Sequence, residues 1–187
     1  YDAVVSNYFN RIKKNDFPEI ISMQNRYNLL FRNYDTKLID YCKINKISFL
    51  GYSPLAFGML SGKYINNTES NTRLNLYPNY FNRYSGKKSK ICVAMYSNIS
   101  KQNNLKLTEM SLSYCFHNSF LTSSIVGSTS VKQFKEIIDS YKIDLNDKII
   151  SEIDSIHFRN KNPTYEKDFN IFSYLKNALR LISDGNF

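Results

Sequence analysis

The sequence predicts an α/β chain in which short parallel strands alternate with helices. Three strand-length apolar runs carry that expectation, at 20–23, 47–52 and 123–126. Each reads almost uniformly apolar, the pattern of a parallel strand covered on both faces. Several of the other segments repeat apolar residues near every 3.6 positions, the period of a helix with one buried face. Strands and helices in alternation build βα units on a parallel sheet.

Taken in order, residues 2–15 read as a helix, with Val4, Val5, Tyr8, Phe9 and Ile12 on one side. Asp16-Phe17-Pro18 ends it, because a residue before proline is pushed out of the helical region. The first strand, 20–23, is followed by Gln24-Asn25. A helix over 34–45 turns Leu38, Ile39 and Cys42 to one face. The second strand, 47–52, runs into a turn at Tyr52-Ser53-Pro54. Residues 66–79 are rich in Asn and Thr and read as a long loop. Helices follow at 88–103 and 108–117, the second with a capped start at Thr108 and Ser111. After the third strand, Ser130 caps a helix over 130–141. Another spans 146–157, with Ile149, Ile150, Ile153 and Ile156 inward. Residues 168–182 are amphipathic. The organisation is one domain over 1–165 and a C-terminal amphipathic helix within 166–187.

At 187 residues the chain suits one domain with a core of its own. No apolar run approaches the ~20 residues needed to cross a bilayer, so no membrane partner is expected. Cys42, Cys92 and Cys115 are widely spaced, and His117 and His157 lie far apart at positions suited to helix surfaces or ends. Neither a disulfide framework nor a metal site is expected, and free thiols fit the cytoplasm. The net charge is +9, yet the lysines and arginines are scattered and form no stripe. The one dense basic run, Gly86-Lys87-Lys88-Ser89-Lys90, suits a solvated helix start. Nucleic acid is therefore not the expected partner. A positive field also suits a phosphorylated small molecule.

In parallel βα folds the ligand site lies at the C-terminal ends of the strands. The second strand ends in GYSPLAFGMLSGKY, residues 51–64. The third ends in Gly127-Ser128-Thr129-Ser130 and opens a helix. A glycine for close approach, hydroxyl donors and free amide groups at a helix start suit a phosphate.

Three stretches together resemble the aldo-keto reductases, in the branch of bacterial tas-like reductases and potassium-channel β subunits. They are QNRYNLLFR (Gln24 to Arg32), GYSPLAFGMLSGKY (Gly51 to Tyr64) and IVGSTSVKQFKE (Ile125 to Glu136). FNRYSG at 81–86 and DLNDKIISEIDSIH at 144–157 fit the same branch, so the resemblance covers about residues 1–165. It implies a (β/α)8 TIM barrel, of which this chain is the C-terminal portion, binding extended NADPH. Carried over, Gln24 hydrogen-bonds the nicotinamide carboxamide and Tyr52 stacks on the ring. Within Ser53-Pro54-Leu55, Ser53 and Leu55 line the pyrophosphate together with Gly58. Lys63 reaches the phosphates, and Arg73 lies over the adenosine phosphate. Gly127 and Thr129 meet the 2′-phosphate, and Gln133 and Glu136 meet the adenine. Ile137 stands where the family usually has Asn.

The implied reaction is hydride transfer to a small-molecule carbonyl substrate. The family's catalytic Asp, Tyr, Lys and His come from its first four strands, where the Tyr protonates the carbonyl oxygen. None of the four has a counterpart here, so they are expected upstream of Tyr1. Ser6-Asn7 mimics the family's fifth-strand Ser-Asn, but lies too close to Gln24 for an intervening helix and its turns. The chain is thus expected to be the second half of a barrel, inactive without its N-terminal half as partner. A non-catalytic, NADPH-binding regulatory subunit of the channel-β kind is the alternative.

Overall fold

Ser48–Tyr52 (β2) is the central strand of a three-stranded parallel sheet, flanked by Ser22–Arg26 (β1) and Ser123–Ile125 (β3). The computed structural model describes residues 18–35, 37–65 and 82–165, with isolated residues at 7, 10–12, 14, 72 and 76. Of the expected loop at 66–79 only Thr72 and Leu76 are described, Leu76 as helical, and the tail helix at 168–182 lies outside the described residues, as does most of 2–15. Asn7, Asn10, Arg11, Ile12 and Lys14 of that first segment are helical.

The helices are Lys37–Ile44 (α1), Lys87–Gln102 (α2), Leu107–Phe116 (α3), Val131–Tyr141 (α4) and Asp147–Arg159 (α5). Each answers an expected helix to within a few residues. Ser130 caps α4 as expected, its Oγ accepting the Gln133 N–H at 3.3 Å. Asn146 does the same for α5, accepting the Ile149 N–H at 3.0 Å. Ile149, Ile153 and Ile156 then face the core, because i, i+4, i+7 spacing keeps them on one side. The basic run at 86–90 is the start of α2, with Lys87, Lys88 and Lys90 exposed.

Three expectations need correction. First, α3 is capped two residues early. Its N-cap is Lys106, whose N–H is accepted by the Glu109 carboxylate at 2.8 Å, while Thr108 and Ser111 are buried within the helix. Second, the first strand begins at Ser22, so Gln24 and Asn25 lie inside it and Ile21 is left 73% exposed. Third, the strands are not covered on both faces. Along β1 and β3 burial alternates, and Ser22, Gln24, Ser123 and Ile125 are exposed.

Register explains the last two. Met23 pairs with Phe49, and Asn25 with Gly51 and then Ser124. That face is covered by the core: Phe49 meets the Tyr34 and Phe120 rings at 5.1 and 5.6 Å. At Gly51 a Cβ would come within 3.0 Å of Leu121 Cδ2 and 3.3 Å of Tyr27 Cβ. A period of two then turns Gln24, Leu50, Tyr52 and Ile125 to the opposite, open face. Cys42, Cys92 and Cys115 are buried free thiols. Among the described residues no helix is long and apolar enough to cross a membrane.

Candidate cofactor site

Parallel pairing brings the three strand tips to the same end of the sheet. Arg26, Tyr52 and Ile125 lie in one rung, and Gln24 lies two rungs inside, paired with Leu50. Gln24 and Tyr52 therefore share the open face on adjacent strands, Gln24 exposed and Tyr52 half-buried.

Beyond Tyr52 the chain makes a tight left-handed loop. Ser53, Ala56 and Phe57 have φ of 57°, 48° and 57°, and Gly58 and Gly62 have 91° and 80°. Positive φ is costly for residues with a Cβ and persists only where the surroundings fix it. Here Asn28 does much of the fixing. Fully buried, it donates from Nδ2 to the Ser53 carbonyl at 2.9 Å and to the Tyr84 hydroxyl oxygen at 3.1 Å, and its Oδ1 accepts the Leu30 N–H at 3.0 Å. Burial holds the Tyr84 phenol above its ordinary pKa, against the lowering effect of the Asn28 bond, so it stays neutral. Ala56, Met59 and Leu60 anchor the loop in the core, Pro54 is buried and Leu55 half-buried. The Gly58 and Leu60 amides both donate to the Leu55 carbonyl, at 2.8 and 3.2 Å. Lys63 folds back over Gly58: a Cβ there would meet Lys63 Cε at 2.8 Å and Nζ at 3.1 Å. Gly58 thus leaves the space that the lysine head occupies.

The third tip is open. A Cβ on Gly127 would touch nothing within 4 Å, and Ser128 and Thr129 are exposed. The Thr129 N–H and Oγ1 both donate to Gln133 Oε1, at 2.9 and 3.0 Å. The amides of Val131 and Lys132 open α4 and have no acceptor within the helix. Glu136, half-buried, pairs with Lys106 Nζ at 3.5 Å. Gln24, Tyr52, Ser53, Pro54, Leu55, Gly58 and Lys63 thus cluster at two neighbouring tips. Gly127, Thr129, Gln133 and Glu136 follow the third, and Arg73 lies outside the described residues. No group of His, Cys, Asp and Glu among the described residues is arranged to hold a metal ion.

The donor set fits an extended, phosphate-bearing dinucleotide. An amide and a flat phenol share one face, a lysine sits over a glycine, and a hydroxyl-rich helix start follows the next strand. Sequence reasoning missed Asn28 and Tyr84, which shape the loop. The signal was a lone amide within the otherwise apolar run Tyr27, Leu29, Leu30. A cavity of about 430 Å3 lined by Arg32, Asp35, Tyr114, His117 and Asp154 contains none of the expected site residues.

A sequence model of the Aldo/keto reductase family matches residues 5–157. Protein tas of Escherichia coli (strain K12) is 32% identical over 153 residues, which is 82% of this chain and 44% of that protein. An aldo-keto reductase of Babesia bovis is 31% identical over 150 residues, 76% of this chain and 53% of that protein. The aldo-keto reductase AMT2 of Alternaria alternata is 23% identical over 142 residues, 76% of this chain and 38% of that protein. The chain spans about half the length of the curated relatives it matches. It therefore belongs to the aldo/keto reductase family, and its parallel strands and their helices are part of that family's (β/α)8 barrel.

Proposed function

We propose that this chain supplies the cofactor-binding portion of a cytoplasmic, NADPH-dependent reductase of aldehydes or ketones. The observation that carries the reading is the shared open face of Gln24 and Tyr52 beside the loop that holds Lys63 over Gly58. NADPH, when bound, supplies the hydride. Gln24 offers a donor and an acceptor, which matches a carboxamide. The Tyr52 ring gives a flat support that leaves the opposite face of a stacked ring open. Ser53, Leu55 and Lys63 provide hydroxyl, backbone and ammonium groups for the pyrophosphate, and Gly58, whose amide is held by the Leu55 carbonyl, leaves room for close approach. Gly127 and Thr129 receive the 2′-phosphate at the start of α4, and Arg73 covers the adenosine phosphate.

At that helix start the Thr129 donors are held by Gln133. A phosphate takes them by displacing the Gln133 amide, which frees Gln133 to join Glu136 at the adenine. The carbonyl oxygen takes its proton from the family's Tyr, in the N-terminal half of the barrel. Buried free thiols fit a reducing compartment.

Fluorescence titration of the complete protein tests the reading. Thr129→Ala is expected to weaken NADPH about tenfold, the worth of one charge-assisted bond, and to change NADH less than twofold. Lys63→Met is expected to weaken both. Equal weakening of both cofactors by Thr129→Ala would remove its 2′-phosphate role. No saturable NADPH binding would remove the whole reading, and binding without turnover of any aldehyde would favour the regulatory alternative.

A further inference from the structure

We propose that Asn28 and Tyr84 are positioning residues for the ring end of the cofactor, acting through the Ser53 turn on the seat of the Tyr52 ring. The inference rests on the reductase reading above and adds two residues to that same site. Beyond β1 the ladder to β2 runs one step further by backbone and then one by side chain. The Tyr27 N–H donates to the Tyr52 carbonyl at 3.0 Å, and Asn28 Nδ2 donates to the next carbonyl, that of Ser53, at 2.9 Å. Two consecutive carbonyls are thus held where the chain leaves the strand and turns left-handed at Ser53, with φ of 57°. Tyr52 is the residue immediately before that turn, so the turn fixes where its ring stands.

Asn28 has one arrangement open to it. Its Oδ1 accepts the Leu30 N–H at 3.0 Å, and its second amide hydrogen goes to the Tyr84 hydroxyl oxygen at 3.1 Å, so the oxygen and both hydrogens are engaged. Asn28 and Tyr84 are both fully buried, and water offers no replacement partner. Tyr84 also reaches the far side of the same turn. Its ring meets the Phe57 ring edge-on, 5.2 Å between centroids. Ser53 and Phe57, each with φ of 57°, bracket Pro54 and Leu55, and one phenol supports both. That phenol lies near enough to Tyr52 for their charges to interact. Ala56, Met59 and Leu60 anchor the rest of the loop in the core without help from this network. Loss of the network therefore loosens the end where the ring rests and leaves the start of α4, where the adenosine end binds, as it is.

The test is calorimetric titration of the complete protein with two ligands, NADPH and 2′,5′-ADP, which carries the adenosine end alone. Asn28→Ala is expected to weaken NADPH about tenfold and Tyr84→Phe about threefold, each changing 2′,5′-ADP less than twofold. The double variant is expected to lose about tenfold rather than about thirtyfold, because the two residues share a bond. The emission of bound NADPH, which reports the surroundings of its ring, is expected to shift in both single variants at saturation. A general loss of stability would lower the melting temperature without separating the two ligands. Tyr84→Phe keeps the ring against Phe57 and removes only the hydroxyl, so it decides the matter alone if Asn28→Ala does not fold. Equal weakening of both ligands by Tyr84→Phe, or NADPH affinity and emission unchanged in it, overturns the proposal while the reductase reading stands. Wild-type protein that binds neither ligand removes both together.

Discussion

At Arg32 a guanidinium only 7% exposed meets two carboxylates, Asp35 Oδ2 at 2.6 Å and Asp154 Oδ1 at 2.8 Å, and lies over the Tyr114 ring. A charge so buried is tolerated only when paired. The pairing ties the segment after β1 to α5, far along the chain. His157, three residues after Asp154, shares this environment. Burial lowers its pKa and the Arg32 charge lowers it further, while Asp35 and Asp154 act the other way. The folded protein thus favours the neutral imidazole. As pH falls, the unfolded chain takes up its proton first, near the ordinary value of about 6.5. Stability contributed by this histidine is therefore full above about pH 6.5 and is lost as pH drops towards the lower folded value. Thermal melts from pH 7.5 to pH 5 should show wild type losing stability, with a shallower loss in His157→Gln. Identical slopes would show that the ring is not desolvated as described. The sequence placed His157 at the end of a helix, which is right. Its half-buried state was not legible, because it depends on a guanidinium brought from 125 positions away.

The loop from Ser53 to Lys63 combines strain at named residues with contacts that hold it. Its two left-handed glycines differ in a testable way. At Gly58 (φ 91°) a Cβ would collide with Lys63 Cε at 2.8 Å, whereas at Gly62 (φ 80°) the nearest atoms are Ile65 Cδ1 and Leu107 Cδ2 at 3.8 and 4.0 Å. Both alanine substitutions carry the backbone cost of a positive φ, about 1 kcal/mol. Only Gly58→Ala also pushes the lysine head aside. Both variants should melt lower by a similar amount, and Gly58→Ala alone should weaken NADPH in the complete protein. Equal cofactor affinity in the two variants would detach Lys63 from the phosphate role. The glycines, proline and lysine of this loop were legible in the sequence, because each residue type has few other uses in that order. The strand before Gln24 was misplaced by two residues. Ile20 and Ile21 are more apolar than Gln24 and Asn25, yet register against Phe49 and Gly51 decided the pairing. The cap of α3 was missed because Lys106 is an unusual N-cap and only its backbone takes part.

Across the whole molecule, the buried face of the sheet is finished and its outer margins are not. β1 and β3 are the outer strands among the described residues, and parallel strands are ordinarily buried on both faces. Ile21 and Ile44 stand 73% and 80% exposed on the β1 side, and on α4 Val131, Phe134 and Ile138 stand 71%, 52% and 45% exposed. The spacing 131, 134, 138 forms one stripe on the helix, of the kind that ordinarily faces another element. An open apolar face beside unpaired strand edges favours association between copies. A barrel removes such edges by closure, which takes eight strands in this fold. The 187-residue chain expressed alone is therefore expected to self-associate in size-exclusion chromatography and to brighten a hydrophobic dye. It should bind NADPH weakly or not at all, because Gln24 and Tyr52 would lie on an uncovered face. Supplying the N-terminal half of the barrel on a second chain should yield a one-to-one complex, quench the dye signal and restore saturable NADPH binding. A monomeric, dye-silent chain that binds NADPH unaided would mean that the open face closes by itself and that the second half-barrel is not required for the site.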